Sequence, residues 1–479
     1  MRIFLFLLTS LLFSFYSYSQ NTPQKKARVL PAGEFRAAWV ATVNNMDWPS
    51  EPGLKPETQM REAIRLLDMA VQMKLNAIIF QVRPHCDAFY NSPYEPWSYY
   101  LQGRQGVGPG YDPLQFWIQE AHKRGLELHA WFNPFRMRHP KMKGDYSEKS
   151  IAKRRPQWGY TLKNGYAWLD PGKKEVHDYT IEIIMDVVKR YDIDGVHLDD
   201  YFYPYSDYMH KGIFPDAQTY GNYRRSGGNL ALADWRRNNI NTFVKRLSGT
   251  IRQSGRLIRF GISPFGIWKP NHPVGIKGMN PYEQLFADSR KWMQEGWIDY
   301  LAPQLYWSTN NNDQNFTRLL DWWRSQNTAK CNIYPGLATF KAPKWSDGAN
   351  QILKQLQVIQ QRPDVKGYIH FNLKPILDNA QISRPLVNGV VSGALVPPLK
   401  PAGFRGYAEN IRFQNGILSW QCRSSQVRRW LVYVGDTPIV YTGSTNRVDL
   451  RNLPRRDRIS ILPIGPAGVP GIMISIQGN

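Results

Sequence analysis

Cysteine is scarce in this chain of 479 residues, with only Cys86, Cys331 and Cys422. The number is odd and the spacing is wide, so the sequence does not indicate a disulfide framework. The sequence also lacks the closely spaced cysteine pairs that structural zinc sites use. We therefore expect free thiols.

Long apolar runs are absent from the sequence after its first residues. Residues 1–19 combine Met1-Arg2, an apolar run from Ile3 to Phe15 and the small residues around Ser17-Tyr18-Ser19, which is the pattern of a secretory signal peptide. The run is short for a bilayer span, and its lack of a following Cys argues against a lipid anchor. We expect a bacterial protein exported to the periplasm or the cell exterior, without a transmembrane segment.

Acidic residues are few: 38 Asp and Glu face 61 Lys and Arg, which gives a formal net charge of +23. Such a charge steers a protein toward anionic partners. We expect no nucleic-acid partner, because the sequence has no helix-turn-helix, zinc-finger or RNP-like signature. An anionic cell-envelope surface or polymer is the better candidate, and a solvated basic surface without a specific partner is the alternative.

Several catalytic signatures are also missing. The sequence has no nucleotide-type glycine loop, no His-Glu-x-x-His, and no Gly-x-Ser-x-Gly around Ser263. Four histidines fall at predicted strand positions, but histidines inside barrels are usually satisfied by hydrogen bonds, so metal-dependent hydrolysis is a minority interpretation. We predict no metal and no cofactor; the histidines are His85, His129, His197 and His370.

Eight nearly continuous apolar segments alternate with amphipathic segments, which is typical of parallel strands covered by helices. The predicted strands are Phe35–Val43, Leu75–Val82, Leu126–Phe132, Gly195–Asp200, Ile258–Pro264, Tyr300–Tyr306, Asn332–Leu337 and Gly367–Asn372. The predicted helices are Thr58–Met73, Pro113–Arg124, Val176–Arg190, Asp234–Gln253, Tyr282–Glu295 and Ala349–Gln361. This order predicts an α/β fold, a (β/α)8 TIM barrel over residues 30–385. A doubly wound open sheet is the alternative.

The pattern changes after the barrel. Residues 386–403 are rich in Gly and Pro and indicate a linker. Residues 404–479 contain short strand-like segments between turns and predict a small all-β sandwich. The segments are Gly416–Cys422, Trp430–Val434, Ile439–Tyr441, Arg458–Leu462 and Gly471–Ile476.

The fourth predicted strand carries the strongest functional signal, because the run Gly195-Val196-His197-Leu198 ends in Asp199-Asp200-Tyr201. Catalytic residues of (β/α)8 barrels lie at the carboxyl ends of the strands. Side chains alternate along a strand, so Val196 and Leu198 are expected to face the helices while His197, Asp199 and Tyr201 face the barrel axis. Asp199 is therefore the first candidate for a catalytic acid/base.

Glycosidic hydrolysis usually needs a second carboxyl group. Asp200 and Asp47 are the candidates that we carry forward, and an adjacent Asp200 would also raise the pKa of Asp199. Asp87 is as good a candidate as Asp47, and Glu95 and Asp170 are further alternatives. Each of these side chains also suits loop capping or an ion pair, and Asp170 suits a turn before a helix. Glu283 fits a helix cap.

Polar and aromatic residues follow the other predicted strands as well, as expected for a pocket that binds sugar rings and their hydroxyl groups. Trp48, Trp131, Tyr306 and Trp307 are predicted stacking platforms. The further predicted substrate-binding residues are Arg83, Asp87, Asn133, His197, Tyr201, Gln304 and Asn372.

Several segments resemble the glycosyl-hydrolase-like 10 family, in order over residues 34–375. They are Glu34 to Val43 with Asp47-Trp48-Pro49, Phe80-Gln81-Val82-Arg83-Pro84, Tyr111-Asp112-Pro113-Leu114, His129 to Pro134, Asp194 to Pro204, and Ala302 to Trp307. The resemblance implies an exported bacterial glycosidase-like barrel linked to cell-envelope glycan, including peptidoglycan strands stripped of their peptides. It supports Asp199, and then Asp200, as catalytic. The C-terminal segment is similar to fibronectin type III domains.

Two functional hypotheses follow. The first is a glycoside hydrolase that cleaves a cell-wall polysaccharide. The second is a non-catalytic glycan-binding or scaffold protein on a hydrolase-like barrel.

Overall fold

A computed structural model describes residues 33–389, 405–435, 437–442, 445–451 and 458–477. The predicted signal peptide lies outside these residues. Within them, no helix is both long and apolar enough to cross a membrane.

The N-terminal part alternates strands and helices. Its strands are Phe35–Val40 (β1), Ala77–Arg83 (β2), Glu127–Phe132 (β3), Arg136–Arg138 (β4), Gly159–Thr161 (β5), Ala167–Leu169 (β6), Gly195–Leu198 (β7), Arg259–Ile262 (β8), Tyr300–Leu301 (β9), Asn332–Ile333 (β10), Gly336–Leu337 (β11) and Gly367–His370 (β12). Its helices are Pro56–Gln72 (α1), Tyr99–Gln102 (α2), Pro113–Lys123 (α3), Ile151–Arg154 (α4), Lys174–Arg190 (α5), Ala217–Arg225 (α6), Leu232–Gln253 (α7), Pro281–Gln284 (α8), Ser289–Gln294 (α9), Phe316–Ser325 (α10), Ala349–Gln360 (α11), Lys374–Asp378 (α12) and Ala380–Gly389 (α13).

Nine of these strands form one parallel sheet in the order β10-β9-β8-β7-β3-β2-β1-β12-β11. All eight predicted strand segments contain a strand of this sheet, and the seventh contains both β10 and β11. Because the strands are parallel, their carboxyl ends lie at one edge. A small antiparallel sheet of β4, β6 and β5 is inserted between β3 and α5.

Two layers of side chains pack on the large sheet. Val196 and Leu198 of β7 belong to the apolar layer under the helices. The opposite face carries a second cluster that includes Phe35, Trp39 and Tyr300. The alternation expected along β7 is therefore confirmed, since His197 contacts Trp39 and Tyr300.

The helix boundaries correct three expectations. Helix α1 begins at Pro56, not near Thr58, because proline suits the first helical turn, where its missing N–H is not needed. The predicted helix Tyr282–Glu295 is split into α8 and α9, and Asp288 caps the second helix through the Lys291 N–H. Residues 386–389 of the predicted linker belong to α13, while residues 390–403 lie outside the described residues.

The C-terminal part consists of β-strands in two small sheets. The strands are Glu409–Gln414 (β13), Ile417–Gln421 (β14), Arg429–Val434 (β15), Thr437–Thr442 (β16), Arg447–Asp449 (β17), Ile459–Ile464 (β18) and Ile474–Ile476 (β19). The sheets have the orders β13-β14-β17 and β16-β15-β18-β19. Strands β13 and β17 were not predicted from the sequence, because they are short or half-exposed and carry charged side chains. The likeness to fibronectin type III domains stays a prediction.

Strand β15 joins the two parts at the amino end of the parallel sheet. Arg429 is fully buried and donates to the Gly125 carbonyl at 3.1 Å and to Asp194 Oδ2 at 3.4 Å. The same carboxylate oxygen accepts from His122 at 2.8 Å. Burial by itself raises the pKa of Asp194, but the Arg429 and His122 charges hold it well below its usual range.

Arg429→Met is expected to destabilise this junction by about 3–5 kcal/mol, because it leaves the buried Asp194 carboxylate without its arginine partner. Urea unfolding and limited proteolysis would measure the loss. The matched control is Arg423→Met, since that side chain is 88% exposed in its ion pair with Glu409. Equal unfolding midpoints for the two variants would contradict a structural role for Arg429.

Candidate active site

Asp199 lies just beyond the carboxyl end of β7 and is held by the neighbouring strand segment. Trp131 Nε1 donates to Asp199 Oδ2 at 3.0 Å, and Asn133 Nδ2 reaches both carboxylate oxygens at 3.2 and 3.3 Å. Trp131 lies on β3, which pairs directly with β7, and Asn133 follows that strand. Trp131 and Asn133, which were both predicted for the site, therefore donate to the same carboxyl group, that of Asp199.

Asp200 points to a different set of donors. The Tyr205 hydroxyl donates to Asp200 Oδ2, and the Gln304 side-chain amide is a second hydrogen-bonding neighbour. Asp199 and Asp200 are 2% and 3% exposed. The chain thus places two carboxyl groups side by side in a largely desolvated position.

Burial changes the acidity of both groups. It raises the pKa of Asp199 to about 7; the positive charge of Arg136 opposes this shift and Asp200 adds to it. Burial also raises the pKa of Asp200, although hydrogen bonds from Tyr205 and Gln304 act in the opposite direction. Asp199 therefore exchanges its proton near neutral pH, which is the property of a general acid or base.

Arg136 is a site residue that the sequence analysis missed. Its guanidinium lies 4.7 Å from the centre of the Tyr201 ring, and it is anchored by hydrogen bonds of 3.0 and 2.7 Å to the Pro84 carbonyl. Only 3% of the residue is exposed. Arg136 lies within a markedly basic stretch, so no local pattern distinguishes it from surface charge.

A chain of hydrogen bonds runs beneath the carboxyl groups. Trp39 Nε1 donates to His197 Nε2 at 3.1 Å, and the Tyr300 hydroxyl lies 2.9 Å from His197 Nδ1 and 2.9 Å from His129 Nδ1. His129 Nε2 in turn lies 3.2 Å from Glu127 Oε2.

The donor at the Trp39 end assigns the direction of this chain. Because Trp39 occupies the Nε2 acceptor, neutral His197 donates from Nδ1 to Tyr300, Tyr300 donates to His129, and His129 donates to the Glu127 carboxylate. Burial and the nearby His129 hold the pKa of His197 well below its usual range, which keeps it neutral. His197 is fully buried in this chain, so in this structure it supports the site from below, and its direct contact with substrate stays a prediction.

Asp47 forms a link between the ends of β1 and β12. Asp47 Oδ2 accepts from the Ala41 N–H at 2.7 Å, while Oδ1 accepts from Asn372 Nδ2 at 2.7 Å and the Lys374 N–H at 3.0 Å. Burial raises the pKa of Asp47 to about 6. These donors tie Asp47 to β1 and to the segment after β12, whereas the charge of the adjacent Asp200 acts on Asp199, so Asp200 is favoured over Asp47 as the partner of Asp199.

Two predicted ligand contacts belong to the protein interior. Trp48 is fully buried, donates to the Gln59 carbonyl at 2.8 Å and packs edge-on against Trp117, so it cannot serve as a stacking platform there. Arg83 is fully buried in a bidentate pair with Glu95, at 2.8 and 2.6 Å. Its other N–H groups bind backbone carbonyls and the Cys86 sulfur. The alternation of side chains along a strand could not reveal that Trp48 and Arg83 lie in the protein interior.

The remaining carboxylate alternatives are also tied to the protein. Asp87 is fully buried, accepts from the Tyr99 N–H at 3.2 Å and has its pKa raised to about 7 by burial. Asp170 accepts from Tyr160 at 3.1 Å and from the Gly172 N–H at 2.8 Å. Within the described residues, no group of three or more His, Cys, Asp or Glu side chains is arranged to hold a metal ion.

Half-buried aromatic rings remain at the carboxyl ends of other strands. Tyr306 stacks on Phe371, with ring centres 5.5 Å apart, and Trp307 meets Phe265 edge-on at 5.6 Å. Gln304 Nε2 donates to the Ser263 carbonyl at 3.0 Å, and the same side chain is a hydrogen-bonding neighbour of Asp200. Phe371 and Phe265 were not predicted as wall residues. Phe371 lies near the end of the predicted strand Gly367–Asn372, and Phe265 directly follows the predicted strand Ile258–Pro264.

Comparison with known proteins gives a consistent set of relatives. The glycosyl hydrolase-like 10 family model matches residues 34–352. Glycosyl hydrolase YngK of Bacillus subtilis strain 168 is 44% identical over 359 residues, which cover 72% of this chain and 69% of that protein. Glycosyl hydrolase DigH of Escherichia coli K12 is 34% identical over 395 residues, which cover 74% and 88% of the two chains.

Among solved structures, the catalytic domain of a β-amylase from Paenibacillus polymyxa has a TM-score of 0.50 at 13% identity. The alignment covers 76% of this chain and 100% of that domain. At this identity the likeness concerns the fold alone.

The raised pKa of Asp199 leads to a prediction about stability. An unfolded Asp ionises near pH 4 and the folded one near pH 7, so stability is lost as pH rises from about 4 through 7. Asp199→Asn, which cannot ionise, is therefore expected to be more stable than the wild type at pH 8 by about 2–4 kcal/mol and nearly equal to it at pH 4.5.

Thermal unfolding at these two pH values would measure the difference, with Asp68→Asn as the control because Asp68 is 51% exposed on α1. A pH-independent difference for Asp199→Asn would contradict the assigned ionisation.

Proposed function

Because this chain belongs to the glycosyl hydrolase-like 10 family, we propose that it is a glycoside hydrolase that cleaves O-glycosidic bonds in a bacterial cell-envelope glycan. The observation that carries the proposal is the pair Asp199 and Asp200, buried at the carboxyl end of β7 with the pKa of Asp199 near 7. A protonated carboxyl group at neutral pH is what departure of a sugar alkoxide requires.

Asp199 is the proposed acid/base. In the first step its proton passes to the glycosidic oxygen as the bond to the anomeric carbon breaks, and Trp131 and Asn133 stabilise the carboxylate that remains. Asp200 is the proposed second carboxylate, which faces the positive charge that develops on the sugar ring. Hydrogen bonds from Tyr205 and Gln304 favour its ionised form, against the burial that raises its pKa.

The aromatic side chains at the carboxyl ends of the strands suit the proposed ligand. Tyr306, Trp307 and Tyr201 are half-buried, so each keeps part of its ring accessible for stacking against a sugar face. Asn133 and Gln304 supply amide groups next to the carboxyl pair. We propose Tyr306, Trp307, Tyr201 and Gln304, with Trp131, as the substrate-binding set. Asn133 is fully buried and is proposed to hold Asp199 in place, as Asn372 holds Asp47.

The architecture is proposed to be a closed (β/α)8 barrel over residues 30–385. Strand β10 pairs with β9, β11 pairs with β12, and Gln304 forms a bridge to Gly336. Only Tyr334 and Pro335 separate β10 from β11, so one continuous segment borders both ends of the sheet. This arrangement supports closure, with a linker at 386–403 and a separate β domain at 404–479.

The proposed substrate is peptidoglycan strands stripped of their peptides. The net charge of +23 suits an anionic polymer, and the signal-like pattern at residues 1–19 suits export to the compartment that holds it. A non-catalytic glycan-binding protein is the rival, and it predicts that Asp199 is dispensable.

Asp199→Asn is expected to lower kcat on peptide-free glycan strands by at least about a thousandfold, because it removes the proton donor of the slow step. Mass spectrometry of the released fragments would detect new reducing ends. Asp68→Asn is the control and is expected to retain wild-type turnover. If wild type and Asp199→Asn both retain the strands without cleaving them, the binding-protein alternative is favoured.

The pH profile gives a second test. If Asp199 must carry a proton, kcat/KM should fall as pH rises above about 7. Arg136→Gln removes a charge that lowers this pKa, so it should move the alkaline limb to higher pH. Movement to lower pH would contradict the assignment of Asp199 as the acid.

A further inference from the structure

A cavity lies at the carboxyl end of the parallel sheet, between the loop that follows β2 and the loop that follows β4. Its volume is about 780 Å³. Both loops belong to the carboxyl end of the sheet, the end that carries Asp199. The side chains that line it include Arg104, Gln105, Lys143, Asp145, Tyr146 and Lys153.

The cavity is built by close packing of the two loops. Gln105 is 6% exposed, and its side-chain oxygen accepts from the Ser147 N–H at 3.0 Å. Gly106 has a φ of +92°, and a Cβ there would lie 2.8 Å from Ser147 Oγ. Both a left-handed backbone and a close approach therefore require glycine at this position. The two loops thus form one defined surface.

Contacts connect the cavity to the catalytic residues. Arg138 lies two residues after Arg136, on the same strand β4, and its guanidinium stacks 5.0 Å from the Tyr146 ring centre. Arg138 also donates to the Met142 and Gly144 carbonyls, each at 2.8 Å. One strand therefore presents Arg136 to the Asp199 site and Arg138 to the cavity wall.

The charge of this region is strongly positive. Residues 136–155 contain eight Lys and Arg against two acidic residues. Within the cavity, Lys153 pairs with Glu148, whereas Arg104 and Lys143 are exposed and form no ion pair within the described part of the chain. Asp145 is the remaining acidic side chain, so the lining keeps a net positive charge.

We propose that this cavity is a subsite for a carboxylate-bearing sugar of the same glycan chain that enters the Asp199 site. Arg104 and Lys143 bind the carboxylate, since guanidinium groups form paired hydrogen bonds with carboxylates and ammonium groups add a point charge. The half-buried Tyr146 ring contacts the sugar. The inference rests on the proposed glycosidase function and adds to it a preference for strands that carry acidic sugars.

The test measures binding separately from cleavage. Peptide-free peptidoglycan strands are compared with the same strands after their carboxylates are converted to neutral methyl amides. Both are bound to protein carrying Asp199→Asn, with and without Arg104→Gln and Lys143→Gln. The matched control adds Arg61→Gln and Lys330→Gln, which change the same residue types and the same total charge at exposed positions that do not line this cavity.

The Arg104→Gln, Lys143→Gln pair is expected to weaken binding of carboxylated strands about five- to tenfold at low salt, and the loss should shrink at high salt. Binding of the neutralised strands should change less than about twofold. Asp145→Asn should act in the opposite direction and tighten binding of carboxylated strands, because it removes a repulsive charge.

The proposal is overturned if the cavity variants and the control weaken binding equally, or if the cavity variants bind both kinds of strand alike. Cleavage by otherwise wild-type protein is measured in parallel. If no strands are cleaved, the proposed hydrolase function fails, while the binding comparison still decides whether the cavity recognises carboxylates.

Discussion

The parallel register of β3 against β7 governs the geometry of the site. Trp131 lies opposite His197 and Phe132 opposite Leu198, so Trp131 and Asn133 reach the strand end where Asp199 emerges. A shift of one residue would turn Asp199 toward the helices and Leu198 toward the axis. The acid, its hydrogen-bond donors and the histidine chain below it therefore depend on one backbone pairing.

Burial of the carboxyl groups works against stability and in favour of chemistry. A buried carboxyl group whose pKa is raised by burial does not stabilise the folded protein. The protein nevertheless retains two such groups next to each other and uses several hydrogen-bond donors to hold them. The hydrogen-bonded chain from Trp39 to Glu127 adds further polar groups that are buried within the sheet, and their burial also opposes stability. Its direction of donation requires a neutral His197, which links the protonation of that side chain to the structure of the site.

The sequence allowed the strands, most of the helices and the central carboxyl group to be predicted, because apolar runs and strand parity are local properties. It did not reveal which polar residues at strand ends lie beneath the pocket. Trp48 and Arg83 stand in the same kind of position as Trp131 and Asn133. Trp48 and Arg83 contact α1, α3 and Glu95, whereas Trp131 and Asn133 donate to Asp199. Arg136 was missed for the converse reason, since its buried position depends on the inserted sheet.

The junction through Arg429 and Asp194 attaches the C-terminal sheets to the amino end of the parallel sheet, opposite the end where Asp199 lies. The end of the sheet that carries Asp199 is thus free of this junction. In the proposed hydrolase, an attachment made through the C-terminal sheets would orient the loops around Asp199 away from the point of anchorage. A protein anchored in that way would stay fixed at one place while successive stretches of a polymer reach it.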